Sequence, residues 1–167
     1  MKDRASVVIA AHAALNTCAQ MKADGVVEKQ FPEIVRGYWR DVLQKVGVKP
    51  ASPPYPPQWC GAFALACVHA AELGSALVWR FETATDKRSG FLYALHQTLI
   101  PEPGDIAYLA APFQHHAVVC HVSADDIVGT VNGNQGAAEP IKYATHPLAH
   151  WTAFYSIHTL LPPENIA

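Results

Sequence analysis

Apolar positions in the first third of the chain recur with the period of a helix, and those of the last third with the period of a strand. Val8, Ala11, Leu15 and Cys18 fall at i, i+3, i+7 and i+10, one stripe of a helix over about residues 4 to 22 that stops near Gly25. A second helix is predicted from Phe31-Pro32-Glu33, where proline suits an early helical position and Glu33 the positive end of the dipole, to Gly47. Residues 50 to 57, PASPPYPP, contain five prolines, which forbids helix and gives a stiff extended arm that positions the next helix. A proline-rich ligand for a partner domain is the sharper reading of the same residues. From Trp59 to Leu73, WCGAFALACVHAAEL is apolar almost all round and predicts a buried helix closed by Gly74.

A less regular helical stretch is expected over 81 to 98, after which the period shortens. Asp105–Leu109, His116–Val122, Asp126–Val131 and Trp151–His158 read as short strands separated by turn residues. Helices first and strands after predict an α+β fold, an antiparallel sheet packed against the helix that begins at Cys60. The 167 residues suit a single domain over 1–167, with leading helices in 1–50, the proline arm in 51–57 and a core in 58–167.

Composition excludes several classes. Half the residues are apolar and 16% charged, so disorder, collagen and coiled coil do not apply. The net charge is −2, with eight Lys/Arg against five Asp/Glu in residues 1 to 50 and four against nine afterwards. This is no nucleic-acid footprint. The basic, apolar start is interrupted by Asp3 and His12, and Leu-Asn-Thr before Cys18 is a poor lipoprotein cleavage site, so the helical stripe accounts for these residues better than a signal peptide. No run approaches the length of a membrane span.

Eight of the nine histidines lie after residue 50, and chemistry near neutral pH is sought there. Cys18, Cys60, Cys67 and Cys120 show no paired metal spacing and read as free thiols. Cys60 opens a helix, where the dipole and unpaired N–H groups favour a thiolate; Cys18 and Cys67, at interior helical positions, read as small core residues. A thiol nucleophile needs a base, and His115 and His116 open a strand downstream of it. Strand alternation puts His116 with Val118, Cys120 and Val122, and His115 with Ala117, Val119 and His121. The apolar set favours His116 toward the Cys60 helix, although small Ala117 keeps His115 open. Asn132 and Asn134, at the end of the neighbouring strand, are candidates to orient the base. The N–H of Cys60, with the side chain of Gln58 or Tyr55, could hold an oxyanion, and Trp59 stands beside them as a substrate contact. Asp105 is expected to cap a turn. A zinc site of His115, His116, Cys120 and His121 is disfavoured because strand neighbours point to opposite faces.

PPQWCGAF opening a helix, PEPGDIAYL leading into a strand, HHAVVCHV on the next and TVNGNQG after it together resemble the papain-like bacterial cell-wall hydrolases, the NlpC-type peptidases and the cysteine/histidine-dependent amidohydrolase/peptidases. The resemblance covers residues 58 to 136, and the preceding helices are similar to the leading helices of some phage and secreted members. It implies a papain-like fold in which Cys60 attacks an amide of the peptidoglycan stem peptide through a thioester, His116 or His115 is the base, and Asn132 or Asn134 orients it. Two histidines stand where such relatives have one, and Asn where they often have an acid or His. No cofactor or metal is implied. The expected partners are the stem peptide, with an export machine or phage lysis giving access to the wall from the cytoplasm, and a cognate immunity protein. A cysteine protease or deamidase acting on a protein, and a non-catalytic binding module, are the other readings.

Overall fold

The computed structural model describes residues 3–44, 59–74, 77, 79 and 90–161. Three helices come first, α1 Arg4–Ala23, α2 Val27–Gln44 and α3 Cys60–Ala70. Six strands succeed them, β1 His96–Thr98, β2 Ile106–Leu109, β3 His115–Val122, β4 Ile127–Gly133, β5 Ile141–Pro147 and β6 Ala153–Ser156. They form one antiparallel sheet in the order β1-β6-β2-β3-β4-β5. The fold is therefore α+β. No described helix is long and apolar enough to cross a membrane.

Helix α1 is capped by Asp3, whose side chain accepts the Ser6 N–H at 2.8 Å. It ends at Gly25, in the left-handed region at φ 68°, with Val26 N–H on Met21 O and Gly25 N–H on Lys22 O. Its buried stripe is Val7, Ala11 and Cys18, so Val7 rather than Val8 begins it. Helix α2 starts four residues before Phe31. Val27 is buried there, Glu28 takes the first-turn position, and Pro32 lies inside the helix, in its second turn, where its missing N–H forfeits one hydrogen bond. The expected end at Gly47 and the arm at 50–57 lie outside the described residues.

Helix α3 is apolar on every side and covered on every side, by α1 and α2 on one flank and by β3 and β4 on the other. Phe63, Leu65 and Val68 are fully buried, and burying each such side chain contributes about 2 kcal/mol. Its terminator is not Gly74. Glu72 adopts the left-handed conformation at φ 58°, and Leu73 N–H bonds Val68 O while Glu72 N–H bonds His69 O. Gly133 of β4 permits the helix to approach, since a Cβ there would stand 2.8 Å from that of Phe63.

The helical reading of 81–98 fails where it can be seen: residues 92–94 are a single 3-10 turn and His96–Thr98 an edge strand. Strand β5, unpredicted, is the opposite edge, with most of its side chains at least partly exposed. Strand β3 carries a bulge between Val119 and His121. It shifts the alternation, so Val122 pairs with Val128 on the second face of the sheet and does not share a face with His116.

Asp105 does more than cap a turn. Its carboxylate, 1% exposed, accepts from Arg4 of α1, from Glu102 N–H at 3.0 Å and from Ile157 N–H at 3.1 Å. Arg4 also reaches Ser156 Oγ at 3.0 Å. Replacing Asp105 by Ala leaves two backbone donors without their acceptor, while Arg4 keeps Ser156 and the Glu102 carboxylate at 3.1 Å. Urea unfolding should show a loss of about 1–3 kcal/mol, the cost of leaving a buried donor unsatisfied, and a loss under about 1 kcal/mol would show the carboxylate to be dispensable.

Candidate active site

Cys60 is the first residue of α3, behind Trp59, which caps the helix with no side-chain bond. The N–H groups of Cys60 and Gly61 are thus free of intrahelical partners and lie against the sulfur. Strand β3 begins beside this helix start. His116 presents Nδ1 at 3.9 Å from Cys60 Sγ, and the carbonyl of Gln114 lies 3.7 Å from the same sulfur. Gly61 makes room for the imidazole: a Cβ there would meet His116 Cε1 at 3.3 Å and Trp79 at 2.6 Å.

His116 is walled by aromatic rings, Tyr108 at 5.1 Å between centroids and Phe91 and Trp79 at 6.4 Å each. Its Nε2 is buried with no hydrogen-bond partner among the described residues. Burial, with a smaller contribution from the neighbouring His115, holds its pKa down at about 3. Burial also pushes the Cys60 thiol up, against the N–H groups of His116, Gly61 and Cys60, which pull it down. The expectation that the helix start alone yields a thiolate therefore fails in this conformation. Removal from water outweighs the open N–H groups, and the resting pair is an uncharged thiol and imidazole.

The other candidates do not join this pair. His115, on the opposite face, places Nε2 at 2.9 Å from Asn132 Oδ1. The amide nitrogen of Asn132 donates to Thr130 O, Thr130 Oγ1 and Lys142 O, so its oxygen must face His115, which carries its proton on Nε2 and leaves Nδ1 bare. His115 stacks on Trp151, which also touches His146 and His150. Its pKa is lowered by burial, partly offset by Asn132 and lowered again by His150. The oriented histidine and the histidine beside the thiol are thus two different residues. Asn132 sits across from Ala117 on the second face, and the next residue of β4 is Gly133, with no side chain to offer His116. Asn134 is left-handed at φ 64° and bonds neither ring.

Trp59 is 1% exposed, stacked on Tyr38 at 5.5 Å with Phe31 against its edge; it fills the core between α2 and α3 and is not placed to meet a substrate. Gln58 and Tyr55 lie outside the described residues. Cys18 and Cys67 are buried free thiols in helices, and Cys120 is a partly buried one at the bulge. Among the described residues no three His, Cys, Asp or Glu side chains gather to hold a metal ion. Gln114, Tyr108 and Phe91 were not foreseen: their place beside the pair depends on strand pairing and chain return, which leave no local signal. No protein-family model, curated protein or solved structure matches the chain.

The depressed His116 predicts a pH dependence of stability. The unfolded chain binds a proton at this residue near pH 6.5 and the folded one only near pH 3, so stability is present above pH 6.5 and falls as pH drops, by up to about 1.4 kcal/mol per unit. Chemical denaturation between pH 7 and pH 4 should show this slope, and His116→Leu should flatten it. An unchanged slope in that variant would mean that the imidazole is not buried neutral.

Proposed function

We propose that the protein is a papain-like cysteine hydrolase that cleaves an amide of the peptidoglycan stem peptide. The single observation that carries this reading is Cys60 Sγ at the open first turn of a buried helix, 3.9 Å from His116 Nδ1 at the start of a strand. The order of the motifs from Gln58 to Gly136, which resembles that of cell-wall hydrolases, supplies the substrate class. In the reaction the thiol proton passes to His116 Nδ1 as sulfur adds to the amide carbonyl. The N–H of Cys60 is the available donor to the oxyanion. Collapse breaks the C–N bond, His116 returns the proton to the leaving amine, and a thioester remains. His116 then takes a proton from water as its oxygen adds to the thioester carbonyl; collapse expels the sulfur, which takes that proton from His116 and is restored as the thiol while the acid is released. An enzyme of this kind reaches the wall by export or lysis, and an immunity protein covering the Cys60 site is the partner it implies.

Because both groups are uncharged at rest, the proton moves during attack, and His116 acts as a base without a side-chain orienter on β4. Digestion of purified sacculi, with fragments identified by mass, tests the proposal. Cys60→Ala should release nothing and His116→Ala should lose at least about 100-fold. His115→Ala should keep most of its turnover, and Asn132→Ala should lower stability more than rate. The split of the predicted triad between two faces favours a second reading, a binding module that keeps the fold. Stem peptide bound but never cut by the unaltered protein would select that module. Cleavage of a protein, with sacculi left intact, would instead select the protease reading.

A further inference from the structure

Among the described residues the imidazole of His116 has one polar contact, the 3.9 Å approach of Nδ1 to Cys60 Sγ, while its buried Nε2 has none. A sulfur contact of that length does not fix the rotation of an imidazole about its Cβ–Cγ bond, a torsion with two broad states half a turn apart. The other state would set Cδ2 where Nδ1 stands and leave the thiol without a base. Packing must therefore do what a hydrogen bond to Nε2 does not.

The three aromatic rings around His116 are not equivalent. Phe91 lies 6.4 Å away between centroids and nearly parallel, at 24°. Trp79 is also at 6.4 Å, with its six-membered ring between Gly61 and Gly90; a Cβ on Gly90 would stand 3.1 Å from that ring and 3.6 Å from His116 Nε2. Tyr108 is nearer, at 5.1 Å and inclined by 59°. It is also the direct cross-strand partner of His116, the relation in which side chains on one face of a sheet touch. Its own place is firmly set. Strand β2 is paired on both sides, with β3 and β6, Thr152 N–H bonds the Tyr108 carbonyl at 2.9 Å, and Tyr155 of β6 meets the Tyr108 ring edge-on at 6.2 Å. A row of rings, Tyr155, Tyr108 and His116, thus crosses three adjacent strands and ends at the sulfur.

We propose that Tyr108 is a positioning residue for His116, its ring holding the imidazole with Nδ1 toward Cys60 Sγ. The inference rests on the proposed hydrolase for its consequence in catalysis, whereas the state of the imidazole is read without substrate. The ring is what acts, so phenylalanine should replace Tyr108 and an aliphatic side chain should not. Without the ring the imidazole is free to turn and water reaches Nε2, so its pKa should rise from about 3 toward the ordinary 6.5. The other ionisable groups next to it are Cys60 and His115, and neither substitution alters them.

The experiment is NMR of the full chain with histidine labelled at its ring nitrogens, the His116 signals being those lost in His116→Gln, together with kinetics on a soluble stem-peptide fragment. The unaltered protein should show one His116 ring state, uncharged at pH 5, with nuclear Overhauser contacts to the Tyr108 ring. Tyr108→Phe should keep that state, with kcat within about twofold of the parent. Tyr108→Leu should titrate well above the parental value and lower kcat about 10- to 100-fold at unchanged KM, the loss expected when a reacting group is displaced by about an ångström. Phe154→Leu removes a ring from the second face of the sheet and should lower Tm while leaving the His116 titration and kcat unaltered. The proposal is overturned if His116 of the unaltered protein shows two exchanging ring states or no contact with Tyr108, if Tyr108→Leu leaves either the titration or kcat where it was, if Tyr108→Phe behaves as Tyr108→Leu, or if Phe154→Leu shifts His116 equally. The first of these is read on the parental chain and decides even where a variant does not fold. The expected ring state in a protein that leaves stem peptide uncut would keep the positioning of His116 and discard the hydrolase.

Discussion

Everything near Cys60 depends on a helix with no polar side. A segment reading CGAFALACVHA cannot leave one face in water, so it must be covered on both flanks, and the chain answers with two helices on one and a sheet on the other. Close approach is bought with glycine. Gly133 lets Phe63 lie against β4, and Gly61 lets the Trp79 and His116 rings lie against the helix start. The same burial that fixes Cys60 beside β3 removes it from water, and the two effects cannot be separated.

That coupling decides the chemistry of the pair. A helix start favours an anion by at most about 2 kcal/mol, whereas desolvating a charge costs several. Here the second effect governs both partners, raising the thiol and depressing the imidazole. Strand alternation then divides the two histidines. His116 receives the thiol and a wall of aromatic rings, while His115 receives the amide of Asn132. A single residue of offset between β3 and β4 separates an assembled triad from this divided one, because each step along a strand reverses the face.

What could be read from the sequence depends on the range of the forces involved. The wholly apolar helix at Cys60 and the strands of 105–131 and 151–158 are written in local periodicity, and so are the alternating faces of His115 and His116. The bulge at Cys120 and the partner of Asn132 are not, since both are set by register with another strand. Glu72, not Gly74, adopts the left-handed turn that terminates α3, because the helix ends at Ala70, three residues short of its apolar run. The edge strands escaped for a related reason. With one neighbour and much exposure, β5 needs no apolar alternation, and β1 is too short to show any. Pro32 misled by its position, since a proline close to a helix start is tolerated inside the helix when Val27 gains burial by beginning earlier.

The carboxylate of Asp105 closes a different question, that of when the chain can become native during its synthesis. Arg4 leaves the ribosome well ahead of its partners Asp105 and Ser156, and Asp105 in turn holds the amide of Ile157. The first helix therefore waits for the segments of β2 and β6 before its end is secured, and β2 itself pairs on one side with β6. Such late closure gives many long-range contacts and slow folding, and it leaves the apolar α3 without its sheet through much of translation. A nascent chain of this design has an exposed hydrophobic helix until the strands that cover it emerge.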